Sequence, residues 1–298
     1  MLVLYECQIN NVIKCLACSH YCQIPDGKTG ICGVRQNVDR ELKLLVYGRP
    51  CTVAVDPIEK KPLYHFLPGT KILSLGTFGC NLGCSFCQNW EISQVSQKSR
   101  VKSQKLSFTE LVNKLEYWEP ERIVEYAIKN KIPSIAYTYN EPTIWTEYAM
   151  DIAKLAKEKG IKNVYVSNGY MSRETCDYIV PYLDAINIDL KSFSETFYQK
   201  ICHAKLQPVL DSIKYFYKHK VWLEITTLVI PNENDSDKEL KQIVEFIANL
   251  SRDIPWHISA FHADYQMMDK KSTEIKVLLK ANEIGRKAGL KCIYLGNI

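Results

Sequence analysis

From residue 71 onwards, apolar and polar positions along the chain alternate between two periods. Short apolar runs at 72–75, 134–139, 163–167, 185–190, 221–229, 256–261 and 292–295 read as strands. Between them lie segments of helical period. Over 143–159, Ile144, Tyr148, Ile152 and Leu155 share one face, and Gly160 marks the stop. Ser236 and Glu239 have the spacing of a capping box, with Leu240, Ile243, Val244, Ile247 and Leu250 as the stripe behind it. A last helix is predicted near 272–287. This strand–helix alternation predicts an α/β fold, a parallel sheet covered by helices. About six units fit a partial (β/α)6 barrel, since a full eight-stranded barrel takes roughly 250 residues.

Residues 1–69 have another texture. Pro25, Gly27, Gly30 and Gly33 mark turns, short extended runs fall near 42–47 and 52–55, and no long helical stripe is present. The pattern predicts a small N-terminal cysteine-rich, metal-binding domain over 1–69, ahead of a barrel spanning 70–298. Residues 94–120 interrupt the barrel rhythm. The polar, basic stretch 94–105 reads as an exposed loop, Ser107 with Glu110 caps a helix through Leu111 and Leu115, and Pro120 starts another. This insertion either covers the mouth of the barrel or is a plain surface excursion.

The 298 residues carry a formal charge of +5, too mild to argue for nucleic acid. No apolar run is long enough to span a bilayer, and the first ten residues lack the basic-then-apolar order of a signal peptide. A cytoplasmic protein without membrane contact is expected. Twelve cysteines change the picture. A chain this long needs no disulfide framework, and seven of the twelve fall into two tight clusters, which points to metal. Cys7, Cys51, Cys176, Cys202 and Cys292 stand apart and are expected to be buried, inert thiols.

The second cluster lies in Gly76-Thr77-Phe78-Gly79-Cys80-Asn81-Leu82-Gly83-Cys84-Ser85-Phe86-Cys87. Three thiolates spaced C-x3-C-x2-C can hold three irons of a 4Fe-4S cubane and leave the fourth open. The amino and carboxylate groups of S-adenosylmethionine (SAM) would chelate such an iron. Zinc prefers four closed ligands, and no fourth Cys or His lies in this loop. Gly76, Gly79 and Gly83 let the backbone wrap a bulky group, while Phe78, Leu82 and Phe86 would keep water off it.

This loop, following a first strand, resembles the hallmark of the radical SAM superfamily, including the aromatic Phe86 just before the last cysteine. The segments 56–66 (DPIEKKPLYHF), 87–91 (CQNWE) and 137–143 (YTYNEPT) resemble one clade, the AmmeMemoRadiSam-system radical SAM proteins, homologues of the pyruvate formate-lyase-activating enzyme. The resemblance covers nearly the whole chain.

Alternation along the strand near 186–191 turns Asn187, Asp189 and Lys191 inward and Ile186, Ile188 and Leu190 outward. Asp189 and Lys191 either contact the cofactor or pair with each other. The resemblance implies an Asp-Leu-Lys segment near the SAM carboxylate, where some relatives hold a monovalent cation. Glu224 and His257 also face inward, as cofactor contacts or as partners in structural hydrogen bonds. His65 is expected to be structural. Tyr139-Asn140-Glu141 sits where relatives carry a Gly-Gly-Glu segment that binds the SAM amine. The alternative for Asn140 or Glu141 is a helix cap before Pro142. Ser167-Asn168-Gly169 resembles a Thr-Asn-Gly segment near the SAM carboxylate and ribose, with Val166 where an acidic residue often stands.

The first cluster, Cys15, Cys18, Cys22 and Cys32, makes a four-thiolate set suited to structural zinc or a second, auxiliary Fe–S cluster. The resemblance implies reductive cleavage of SAM to a 5′-deoxyadenosyl radical that abstracts hydrogen from a substrate. It also implies an electron donor such as ferredoxin or flavodoxin, and companions of the Memo and AMMECR types. The alternatives are an activase that makes a glycyl radical on a lyase, and a non-enzymatic Fe–S electron carrier. The three-cysteine loop argues against the carrier.

Overall fold

The structure, a computed structural model, describes residues 4–95 and 107–298. Most of the polar stretch expected as a loop over 94–105 lies outside the described residues. The N-terminal module is built of short pieces. Strands β1 (Tyr5–Cys7), β2 (Val12–Cys15) and β3 (Gln23–Pro25) form an antiparallel sheet, and β4 (Arg35–Val38) pairs with β5 (Glu41–Leu44) as a hairpin. Its apolar core is small: Leu4, Ile13, Cys15, Ala17 and Ile24. So few buried side chains give little stability, which is where a metal staple contributes most.

The main sheet runs in chain order through β6 (Thr52–Pro57), β7 (Lys71–Gly76), β8 (Ser134–Tyr137), β9 (Lys162–Ser167), β10 (Ala185–Asp189), β11 (Trp222–Val229), β12 (Trp256–Ala260) and β13 (Ile293–Gly296). From β7 to β13 all neighbours are parallel. Helices Pro120–Lys129, Thr146–Glu158, Arg173–Ile179, Leu206–Lys218, Asp237–Leu250 and Ile275–Lys287 fill the crossovers. This is the expected partial barrel. The edge strand β6 lies within residues expected to belong to the N-terminal domain. It pairs antiparallel with β7 along its whole length, from Thr52 against Gly76 to Pro57 against Lys71. The pairing satisfies edge amides and carbonyls of β7, so the barrel sheet reaches back across residue 69.

The amphipathic stripes do what their period dictates. Leu240, Ile243, Val244 and Ile247 are completely buried under the sheet, each stabilising by about 1.5–3 kcal/mol. Ser107 and Glu110 form a reciprocal capping box, and Pro120 opens its helix at the first turn. The box expected at Ser236 is only half made. Its hydroxyl accepts from the Glu239 amide at 3.2 Å, but the Glu239 carboxylate accepts instead from the Ser192 hydroxyl and the Phe193 amide. A neighbouring turn with unpaired donors competes for that carboxylate and wins. The helix expected over 143–159 begins as a tight turn, Pro142–Trp145, before Thr146–Glu158.

Residues 58–67 bend under the barrel. Ile58 and Leu63 pack against Ile72, Ala136, Val164 and Ala185, at or near the starts of four strands, and close the N-terminal end. Of the isolated cysteines, Cys176 and Cys202 are buried as expected, whereas Cys51 and Cys292 are half-buried and Cys7 is exposed.

Candidate active site

The C-terminal ends of the strands surround a cavity of about 520 Å³. Cys80, Cys84 and Cys87 all line it, together with Asn140, Glu141, Ser167, Asn168, Asp189 and Lys191. The cysteine loop reaches it because β7 ends at Gly76 and the chain then turns over the barrel mouth. Two of its glycines are required. Gly79 has φ +89°, and a Cβ there would approach the Cys32 carbonyl oxygen to 2.5 Å, so the loop touches the N-terminal module at that point. A Cβ on Gly83 would meet the His203 ring at 2.9 Å. Phe78, Leu82 and Phe86 are buried around the loop.

The partner of this loop was not legible in the sequence. A π-helical turn, Tyr198–Cys202, presents the Ile201 and Cys202 carbonyls to the Ser85 and Gly83 amides, both at 3.0 Å. Cys202, expected to be an inert core thiol, lies against Cys84. Asn81, not among the expected site residues, is a second hub. It accepts from Asn168 Nδ2 at 2.8 Å, and its carbonyl bonds the His20 ring at 2.8 Å.

Each expected contact residue has a definite place. Asn140 spends its amide on the cysteine loop. Its Nδ2 donates to Thr77 Oγ1 (3.1 Å) and the Gly79 carbonyl (2.9 Å), and its Oδ1 accepts from the Thr77 amide (3.2 Å). With Trp145 Nε1 also donating to Oδ1 at 3.3 Å, its hydrogen-bonding capacity is full. Asn140 therefore positions the loop. Glu141, 1% exposed, accepts from the Thr143 amide (3.0 Å) and hydroxyl, the Ser167 hydroxyl (2.8 Å) and the Asn168 amide (2.8 Å). The cap that the sequence left open is thus made, and the same carboxylate ties β8 to the turn after β9. Three of these bonds fall on Oε1 and one on Oε2. Burial pushes its pKa up, against the pull of these donors. Asn168 also donates to Cys80 Sγ at 3.9 Å.

Asp189 and Lys191 pair with each other at 2.8 Å, and both line the cavity. Glu224 and His257 do not reach the cavity. Glu224 lies near the start of β11 and accepts from the amides of Tyr64 (3.0 Å) and His65 (2.9 Å), from Trp222 Nε1 (3.0 Å) and from the His257 ring (2.7 Å). The cofactor contact expected of these two is replaced by a structural hydrogen-bond network at the opposite end of the barrel. His65 is structural as expected, its ring bonded to the Tyr294 hydroxyl at 2.6 Å.

Among the described residues, no three His, Cys, Asp or Glu side chains converge on the spacing of a single metal ion. A cubane places each thiolate on a different iron, so its ligands need a shared cavity rather than one tight centre. Cys80, Cys84 and Cys87 meet that condition. In the N-terminal set, Cys15 and Cys22 are joined by a 2.9 Å backbone bond, and Cys15, Cys18 and Cys32 are all buried.

A cysteine-loop cavity at the C-terminal mouth of a partial parallel barrel defines a class, and the chain belongs to it. It is an enzyme of the radical SAM superfamily, whose family model matches residues 74–247. Membership implies a 4Fe-4S cluster and SAM as cofactors. The chain is 40% identical to an uncharacterised protein of Methanocaldococcus jannaschii over 99% of its own length and 84% of that protein. It is 23% identical to the pyruvate formate-lyase-activating enzyme of Clostridium pasteurianum over 58% of this chain and 67% of that one. In fold it is similar to a radical SAM methyltransferase from Sphaerobacter thermophilus, at 13% identity, with a TM-score of 0.55 over 78% of this chain and 68% of that one. Among the described residues, no helix is long and apolar enough to cross a membrane.

Proposed function

We propose that the protein cleaves SAM reductively at a 4Fe-4S cluster held by Cys80, Cys84 and Cys87, and directs the 5′-deoxyadenosyl radical to a hydrogen atom of its substrate. The observation that carries this is the single cavity shared by the three cysteines with Glu141, Ser167, Asn168, Asp189 and Lys191. When bound, the reduced cluster supplies one electron to the SAM sulfonium, with methionine as leaving group.

The chain's own residues do the rest. Asn140 fixes the loop that carries the thiolates, and Asn168 donates to Cys80, a contact that tunes a cluster's potential. Glu141 has one bond on Oε2, so that oxygen retains capacity for the SAM ammonium. Lys191 offers a cation to the SAM carboxylate, and Asp189 and Ser167 offer acceptors to the ribose or amine. Phe78, Leu82 and Phe86 exclude water.

The four N-terminal thiols are the candidate ligands for structural zinc, with an auxiliary Fe–S cluster as the alternative; they do not stand at the spacing of a single ion, so zinc would have to draw them together. The Arg35 guanidinium lies in their electrostatic reach and would offset their negative charge. An electron donor such as ferredoxin or flavodoxin, and companions of the Memo and AMMECR types, complete the reading. The free thiols fit a reducing compartment, the cytoplasm. The relative named as a pyruvate formate-lyase-activating enzyme favours a second reading, in which the substrate is a glycine of a partner protein.

The test is anaerobic reconstitution with iron and sulfide, followed by SAM and dithionite. 5′-Deoxyadenosine should form in the wild type and vanish in Cys84→Ala, while metal bound by the N-terminal cysteines persists. A wild-type protein with an intact cluster and no 5′-deoxyadenosine would overturn the proposal.

A further inference from the structure

The cavity has a second polar end that the cofactor reading does not use. The end of β6 and the start of the segment that bends under the barrel place Asp56, Lys60, Lys61 and Pro62 in its wall beside Tyr139. Lys61 is 4% exposed, an expensive position for an ammonium. Its Nζ lies 2.9 Å from Asp56 Oδ2 and 4.3 Å from the centre of the Tyr139 ring. The Tyr139 hydroxyl donates to the same Asp56 oxygen at 2.7 Å, and Lys60 Nζ stands 3.7 Å from the other.

Tyr139 holds this arrangement at a cost. Its φ is +68°, in the region that favours glycine, and its Cβ sits where a Cβ on Gly76 would come within 2.9 Å. The backbone there is of the kind glycine favours, yet it bears a phenol that reaches past β7 to Asp56. Backbone strain of this kind persists where the surroundings over-determine it, and it clusters at ligand sites.

The charges do not cancel. Burial pushes the Asp56 carboxyl up, but Lys61 and Tyr139 outweigh it and lower its pKa to about 2. One carboxylate thus faces two ammonium groups, Lys61 in the cavity wall and Lys60, 67% exposed, on its solvent side. Among the described residues, Asp56 is the one hydrogen-bond acceptor for Lys61, which leaves two of its three N–H donors unspent. A single negative charge would complete the set, whereas a dianion would leave an excess in a partly dry site.

We propose that Lys61, held by Asp56 and Tyr139 and assisted by Lys60, is a substrate-anchoring site for a carboxylate group. The substrate would then be a small carboxylic acid, oriented with its carboxylate on Lys61 and its reacting C–H towards the end of the cavity lined by the cysteines. This rests on the radical SAM reading of the same cavity.

The test uses the reconstituted holoenzyme with SAM and ligand-observed saturation-transfer NMR. The probes are propionate, propionamide, propylamine and inorganic phosphate. Propionate should bind, and the amide and amine should not. Lys61→Met and Lys61→Gln should weaken propionate at least tenfold, and Lys61→Arg should retain it. Circular dichroism and iron content certify each variant's fold. The proposal is overturned if propionate gives no transfer, binds Lys61→Gln as it binds the wild type, or loses to phosphate. 5′-Deoxyadenosine formation after dithionite is added to the same wild-type sample reads the cofactor proposal separately. Propionate binding without it sinks that proposal and leaves the anchoring site standing.

Discussion

Two buried glutamates mark the two ends of the barrel. Glu141 at the mouth and Glu224 at the base are 1% and 0% exposed, and each is held by four donors. Their environments still move them in opposite directions. Burial pushes both upward. At Glu224 the His257 ring, the Trp222 indole and the Tyr64 and His65 amides outweigh burial and lower the pKa. At Glu141 the donors are hydroxyls and amides, burial prevails, and the pKa is raised. The base is a completed network. The mouth carries a carboxylate that lacks a cation, and a bound SAM ammonium would supply one.

The largest effect expected from this contrast is on folding. Glu224→Ala leaves two amides, an indole and an imidazole without their acceptor. It should cost about 3 kcal/mol in chemical denaturation while leaving the SAM dissociation constant of the surviving fold unchanged. If SAM affinity falls with it, the two ends are not separate. A mouth substitution should do the reverse. Asp189→Asn, at a pair in which the aspartate is 36% exposed, should change stability by at most about 1 kcal/mol yet weaken SAM about tenfold in equilibrium dialysis.

The pH dependences sharpen the contrast further. A lowered pKa means that Glu224 contributes stability above the ordinary glutamate value of about 4.3, and that this is lost as pH falls through the lower folded value. The wild type should therefore lose stability more steeply than Glu224→Gln in that acid window. Glu141 has the opposite sign: its raised folded pKa favours the protonated form, a contribution lost as pH rises through that value. SAM binding should weaken as pH falls through the raised Glu141 value, and this dependence should be absent in Glu141→Gln. The same slope in both proteins would remove Glu141 from the amine site.

These two ends also show what a sequence can and cannot reveal. Alternation correctly turned Glu224 and Asp189 inward, because period two is a property of the strand itself. Depth is not periodic. Glu224 is the third residue of β11 and Asp189 the last of β10, and at about 3.3 Å per residue that separates base from mouth. Strand boundaries, the least certain part of a sequence reading, therefore decided the roles. The parallel barrel strands and the cysteine loop were legible because spacing and period carry them. The π-helical turn against Cys84, the Asn81 hub and the Asp56–Lys61–Tyr139 group were not. Each joins segments far apart in the chain, and only the closed fold brings them together.

The central claim is that three thiolates leave one iron free to chelate SAM. The direct measurement is electron–nuclear double resonance on the dithionite-reduced, reconstituted protein with SAM labelled by oxygen-17 in its carboxylate. An oxygen-17 coupling to the cluster spin should appear on addition of labelled SAM. A cluster spectrum unmoved by SAM, with no such coupling, would contradict the account.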